Sequence, residues 1–99
     1  MKRRLLLLAV LATSAAHAET HVIKIEGMQF SPANLVVHRG DKVTWQNRDL
    51  VPHTATAAGQ FDTKVIAPNK SATVVMGKAG HFDYVCSLHP TMKATLVVQ

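Results

Sequence analysis

This 99-residue sequence has little of several residue types, and each shortage excludes a class of protein. It contains one cysteine, so an internal disulfide cannot form. Aromatic residues are only 5% of the chain and the lysines are scattered, a composition that argues against a nucleic-acid-binding surface. Beyond the first eighteen residues, no apolar run approaches the roughly 20 residues that a membrane-spanning helix requires. We therefore expect no nucleic-acid partner and no membrane span in the mature chain.

The N-terminal segment has the three parts of a secretory signal peptide. Residues 1–4 are basic after Met1, residues 5–12 are apolar, and Ala16-His17-Ala18 matches the small-x-small cleavage pattern. We predict that residues 1–18 are removed and that the protein is exported to the periplasm. Residues 19–99 then form one small domain, whose net charge is +2 instead of the +5 of the full chain, because three basic residues are lost.

The single cysteine, Cys86, requires an explanation in an exported protein. Exported proteins meet an oxidising compartment, in which an odd cysteine is reactive, paired with another chain or bound to a metal. A bound metal would also add stability to a domain with a small core.

The rest of the sequence has the alternating apolar pattern of β-strands, and no segment has the apolar stripe of a helix. Turn signals occur at Gly27, Ser31-Pro32, Arg39–Asp41 and Pro68-Asn69, and residues 77–80 resemble a hairpin connection. The predicted strands are residues 21–25, 34–38, 42–46, 54–57, 71–76, 81–86 and 93–98. Seven or eight short strands of this kind predict an all-β fold, an antiparallel sandwich or barrel.

Four residues form a candidate metal site. Cys86, His89 and Met92 follow the spacing C-x-x-H-x-x-M, and His53 lies far upstream. One thiolate, two imidazoles and one thioether are the ligands of a blue-copper centre, with the thioether as a weak axial ligand. The soft sulfur ligands favour Cu(I) and the imidazoles suit both Cu(I) and Cu(II), so such a site can pass one electron.

The position of these residues supports the same interpretation. Cys86 ends an inward-facing alternation that includes Phe82 and Tyr84, so we expect its thiolate at the end of the core. We expect His89 and Met92 to come from the loop that follows.

Zinc is the main alternative metal, since one cysteine and two histidines suit it. A structural zinc site normally takes four cysteine or histidine ligands, however, and a thioether is a poor zinc ligand. The remaining candidates have simpler explanations. We expect His21, His38 and His81 to face solvent and Met28 and Met76 to be core or partial core. Asp49 and Asp83 do not form a persuasive acid/base pair.

Three segments together resemble the cupredoxins, and the amicyanin and plastocyanin-like group most closely. They are GDKVTWQN at residues 40–47, VPH at residues 51–53 and FDYVCSLHPTM at residues 82–92. The resemblance covers nearly all of residues 19–99. It implies a Greek-key β-sandwich that binds one type 1 copper through His53, Cys86, His89 and axial Met92, and one-electron transfer in the periplasm.

The sequence departs from the family pattern after the first histidine. Cupredoxins commonly have asparagine there, which ties the two ligand loops together, whereas this chain has Thr54. We expect the threonine hydroxyl to make a similar bond. The chain is also shorter than typical amicyanins, so the partner of those proteins does not carry over.

Two functions are compatible with these features. The first is a monomeric electron shuttle, in which transient redox partners dock near His89 on an apolar patch of Pro52, Leu88 and Pro90. The second is periplasmic copper carriage or copper tolerance. An enzyme is not expected, because four protein ligands leave no open position for a substrate.

Overall fold

The computed structural model describes residues 17–99, so the predicted signal peptide lies outside the described residues except for His17 and Ala18. Within this range no helix is long and apolar enough to cross a membrane. The regular elements of the described chain are nine strands: β1 Thr20–Glu26, β2 Gln29–Ser31, β3 Asn34–Val37, β4 Lys42–Asn47, β5 Thr56–Ala57, β6 Phe61–Asp62, β7 Ser71–Val75, β8 Gly80–Cys86 and β9 His89–Val98.

The strands form two sheets that enclose one core, which confirms the predicted all-β sandwich. One sheet has the order β2-β1-β4-β7 and the other has the order β3-β9-β8-β5-β6. The sequence predicted seven or eight strands, and the additional ones include β2 and β6. These two strands have three and two residues, which is too short for an alternating pattern to be detectable.

The predicted antiparallel arrangement holds for five of the seven strand pairings and was wrong for the other two. β1 pairs with β4 in parallel, and β3 pairs with β9 in parallel. Residues 77–80 are likewise not a hairpin connection, since residues 76–79 lead from β7 in one sheet to Gly80, the first residue of β8 in the other. Alternation along a strand reports which face is buried, but it carries no information about the direction of the neighbouring strand.

The core consists of the inward-facing residues of both sheets. Trp45 from β4 packs edge-on against Tyr84 from β8, with ring centroids 5.6 Å apart, and its indole N–H donates to the Tyr84 hydroxyl at 3.3 Å. Phe30 packs edge-on against Tyr84, with ring centroids 4.8 Å apart. This packing fixes β8 against β4, and it therefore fixes Cys86, which continues the buried face of β8.

Predictions for the sulfur and imidazole side chains outside the candidate site had mixed outcomes. Met76 is buried, as predicted, but Met28 is exposed in the turn between β1 and β2. His38 and His81 are exposed, as predicted. His21 is not, because its imidazole is hydrogen-bonded to buried Asp41 at 2.9 Å.

Candidate metal centre

Two of the candidate ligands face each other across a tight turn between β8 and β9. Cys86 ends β8, Ser87 and Leu88 form the turn, and Cys86 pairs with His89 at the start of β9. The prediction that His89 and Met92 lie in a loop was therefore wrong, since both belong to β9. It failed because the turn is only two residues long.

A bulge in β9 brings the third residue of the motif inward. Val85 pairs with Lys93, so the three residues from Pro90 to Met92 have no counterpart on β8. Extra residues on one strand bend it and redirect its side chains. Met92 is consequently buried and begins the inward-facing series of β9 that continues with Ala94.

His53 enters the site from the long connection between β4 and β5. Its backbone forms a two-way bridge with Ile66, with N–O distances of 3.1 and 2.7 Å. Asn47, at the end of β4, stabilises the same connection, because its side-chain amide donates to the carbonyls of Val51 and Ile66 at 2.9 Å each. The Asn47 side-chain oxygen also accepts the Asp49 N–H at 2.9 Å. The buried asparagine thus fixes the segment that presents His53.

The structure brings His53, Cys86 and His89 to one point. The Cys86 sulfur lies 3.6 Å from His53 Nδ1 and 3.5 Å from His89 Nδ1. All three atoms lie within 4.8 Å of one another. His53 and Cys86 are completely buried, whereas His89 is partly exposed.

These separations allow a test of whether the donor set fits a metal ion. An ion about 2.0–2.3 Å from each atom, with angles between tetrahedral and trigonal, requires sulfur–nitrogen separations of about 3.5–3.8 Å. Both observed separations fall in this range. One thiolate and two imidazoles, with Met92 buried in the same strand as His89, match the preferences of copper in both oxidation states.

Thr54 connects the two segments that carry the candidate ligands, as expected from its position. Its hydroxyl accepts the Ser87 backbone N–H at 2.8 Å and lies 3.0 Å from the Ser87 hydroxyl. Its backbone N–H donates to the Cys86 sulfur at 3.3 Å. This bond holds the Cys86 sulfur against the segment that carries His53.

Asp49 is a functional residue that sequence reasoning missed. Its carboxylate accepts a hydrogen bond from His53 Nε2 at 2.8 Å, and it also accepts the backbone N–H groups of Gly27 and Met28 at 2.7 and 2.9 Å. Partial burial acts to raise the pKa of Asp49, but the bonds from Met28, His53 and Gly27 hold that pKa below its ordinary value. The charged carboxylate keeps the proton of His53 on Nε2, which leaves the Nδ1 lone pair directed at the site.

We expect Asp49→Asn to weaken copper binding about 10- to 100-fold, the usual effect of losing such an outer carboxylate. The reduction potential should rise by tens of millivolts, because the negative charge of Asp49 stabilises Cu(II) more than Cu(I) and the variant lacks that charge. A shift of about 59 mV corresponds to a tenfold change in the ratio of the Cu(II) and Cu(I) affinities. Competition with a chelator and voltammetry measure the two effects. The control is Asp83→Asn, which removes an exposed carboxylate paired with His81. Equal shifts in both variants would show that only net charge matters.

The comparison with protein families agrees with this fold and site. A family model for the cupredoxin-like domain matches residues 4–98. The chain therefore belongs to the cupredoxin-like family.

Its relatives within that family include amicyanins and a plastocyanin. The chain is 29% identical to amicyanin-alpha of Methylorubrum extorquens over 97 residues, which cover 92% of this chain and 82% of that protein. It is 32% identical to the amicyanin of Paracoccus denitrificans over 84 residues, or 79% of this chain and 64% of that protein. A chloroplast plastocyanin of Tetradesmus obliquus is 33% identical over 61% of this chain and 50% of its own length.

Solved structures of amicyanin superpose on most of the chain. An oxidised proline-to-alanine mutant of amicyanin gives a TM-score of 0.74 at 30% identity, covering 81% of this chain and 82% of the other. The Cu(I) form of a methionine-to-alanine mutant of amicyanin gives a TM-score of 0.74 at 30% identity, covering 87% and 86%. These similarities confirm the predicted cupredoxin fold.

Proposed function

We propose that this cupredoxin is a periplasmic one-electron carrier with a single type 1 copper, held by His53, Cys86 and His89 with Met92 as the axial ligand. One observation carries the proposal: the Cys86 sulfur lies 3.6 and 3.5 Å from the two imidazole nitrogens in a buried position. Copper in such a site supplies reversible exchange between Cu(I) and Cu(II). The protein supplies a rigid frame that changes little between the two states.

The rigidity follows from hydrogen bonds that hold the segment carrying His53 and the turn after Cys86. Asn47 fixes the connection that presents His53, and Asp49 orients its ring. Thr54 ties that connection to the turn after Cys86. Because both ligand segments are held before an electron arrives, little rearrangement accompanies its transfer.

The same geometry argues against an enzyme. His53 and Cys86 are completely buried and Met92 is nearly so. With four protein ligands, no coordination position remains for a substrate, unlike in a catalytic metal site. Burial of three of the four side chains also makes copper carriage the weaker alternative, because release would require the turn and the bulge to open.

His89 is the proposed exit for the electron, since it is the one partly exposed member of the four. Several exposed apolar residues lie beside His53 and His89 in the sequence: Leu50, Val51, Pro52, Leu88 and Pro90. Leu50 is 90% exposed, which is unusual for a large apolar side chain. A patch of this kind suits brief contact with other redox proteins, which need only a small interface. We propose that the protein is a monomer that docks through this face.

Absorption and EPR spectra of the copper-loaded protein test the proposed function. We expect an intense visible thiolate-to-copper band, a reversible one-electron voltammogram and retention of copper through repeated cycles. A colourless Cu(II) protein would contradict the electron-carrier proposal. Rapid transfer of copper to a competing copper-binding protein, with poor redox cycling, would instead favour copper carriage.

The electron self-exchange rate tests the docking surface without a known partner. We expect Leu88→Lys to lower this rate about tenfold, because two like charges then meet at the contact between two molecules. Line broadening in NMR spectra of mixed oxidised and reduced protein measures the rate. Val36→Lys, on the exposed side of β3, is the matched control. Equal slowing in both variants would place the contact elsewhere.

A further inference from the structure

A second cluster of metal-ligating side chains lies outside the candidate copper site. Glu19 precedes β1, His21 is in β1 and Asp41 precedes β4, and one ligand atom of each lies within 4.8 Å of the others. His21 Nε2 is 2.9 Å from Asp41 Oδ2 and 3.8 Å from Glu19 Oε1. In the described part of the chain, the Glu19 carboxylate has no ion-pair partner other than His21.

This cluster is at the opposite end of the sandwich from Cys86. Thr20 pairs with Lys42 at the start of the parallel β1–β4 ladder, while the other end of β4 is Asn47, which contacts the connection carrying His53. Five residue steps at about 3.3 Å each separate the two ends of β4 by about 17 Å. An ion at one end therefore does not share ligands with an ion at the other.

We propose that Glu19, His21 and Asp41 form a second, solvent-accessible site for a divalent transition-metal ion. Two ligand atoms that each lie about 2.0–2.1 Å from an ion, with a ligand–ion–ligand angle of about 90°, are about 2.9 Å apart. His21 Nε2 and Asp41 Oδ2 are hydrogen-bonded at this same distance, so an ion can replace the shared proton with little movement of either side chain. Glu19 is 3.8 Å from the same nitrogen, and its side chain is 74% exposed, so it can adjust to complete the site.

Asp41 is preorganised for this role. Its carboxylate accepts the backbone N–H of Glu19 and of His38 at 3.0 Å each, and it is buried. These bonds, together with the one from His21, lower the pKa of Asp41 to about 2, although desolvation opposes the shift. The carboxylate is therefore ionised at neutral pH. Cleavage after Ala18, as the sequence predicts, would also convert the Glu19 nitrogen into an amine, an additional nitrogen donor.

The cluster is open to ions from solvent. Glu19 and Asp41 line a cavity of about 410 Å³ together with His38 and Arg39, and its wall also includes His17 and Ala18, whose predicted removal would open it further. His38 Nδ1 lies 4.0 Å from Asp41 Oδ2, so a second imidazole is close to the cluster. Arg39 contributes a positive charge to the cavity, which opposes cation binding and predicts an exchangeable site.

The donor atoms select the kind of ion. One imidazole and two carboxylates, without a thiolate, suit divalent transition metals, and Cu(II) binds such nitrogen and oxygen sites most tightly in the divalent series. Binding at Nε2 requires the ring proton on Nδ1, so the proton shifts from Nε2 to Nδ1 and the ion takes its place between His21 and Asp41. No electron transfer is involved, and the proposal does not depend on the electron-carrier function.

Titration of the isotope-labelled full-length protein with Cu(II) sulfate tests the site. One equivalent occupies the candidate copper centre, and we expect a second equivalent to broaden the amide signals of Thr20, Val22 and Lys42. The EPR spectrum should then contain an additional signal from Cu(II) with nitrogen and oxygen ligands. His21→Gln should weaken this second binding event at least about tenfold, the scale typical of losses at metal sites.

His81→Gln is the matched control, because His81 is also an imidazole in a strand and lies 3.2 Å from an aspartate, Asp83. It should leave the second event unchanged. Glu19→Gln changes an exposed side chain and should leave the fold intact, so it tests the site even if His21→Gln misfolds. It too should weaken binding. Equal affinity in wild type, His21→Gln and Glu19→Gln, or broadening centred on His81, would overturn the proposal. The amide signals do not depend on the thiolate band, so failure of the blue-copper assignment would be seen separately.

Discussion

Cys86→Ala should abolish the visible colour of the copper-loaded protein while a folded β-sandwich remains. The colour depends on charge donation from the thiolate, and the chain has no second cysteine to replace it. Alanine fits the buried position, but the Thr54 N–H loses its acceptor, the Cys86 sulfur. An unsatisfied buried donor costs about 1–3 kcal/mol, which a domain of this kind should survive. Absorption spectra and circular dichroism measure the two outcomes.

Ser87→Ala is the control for this substitution. Ser87 is the next residue along the chain, and its hydroxyl contacts only Thr54 among the side-chain hydrogen bonds of the described chain. The variant should stay blue. A colour that persists in Cys86→Ala would show that another residue is the chromophore's ligand, and unfolding of the protein would show that Cys86 is primarily a core residue.

Asn47→Ala should produce the largest loss of stability among the changes near the site. The substitution removes the donor to the buried carbonyl of Ile66, the donor to Val51 and the acceptor of the Asp49 N–H. Leaving such groups unsatisfied should lower the free energy of unfolding by roughly 2–4 kcal/mol. Copper should also dissociate faster, because the segment that carries His53 loses its anchor. Urea denaturation of the metal-free protein and transfer of copper to a chelator measure these effects.

Gln46→Ala provides the comparison on the same strand. Gln46 is partly exposed and its side chain makes no hydrogen bond among the described residues, so its loss should change stability by less than about 0.5 kcal/mol. If Asn47→Ala were as stable as Gln46→Ala, solvent would be hydrogen-bonding to the backbone groups that Asn47 contacts in the wild type. The proposed role of Asn47 in fixing the ligand segment would then be wrong.

The site illustrates why some residues could be predicted and others could not. The spacing of Cys86, His89 and Met92 is a local property of the sequence, and the chemistry of thiolate, imidazole and thioether is a property of the side chains themselves. Asp49 carries no comparable signal. It became recognisable only when folding placed its carboxylate 2.8 Å from His53 Nε2 and against the turn between β1 and β2.

Sequence alone determined the all-β class and the candidate ligands, because alternation, turn residues and ligand chemistry are encoded within short segments, and three such segments carried the resemblance to the cupredoxins. Tertiary structure decided the parallel pairing of β1 with β4 and the bulge that directs Met92 inward. It also decided the Thr54 link to Ser87 and the meeting of His21 with Asp41. Each of these depends on contacts between segments distant in the chain. Their relative positions are set by packing around Trp45 and Tyr84, and no local pattern records that packing.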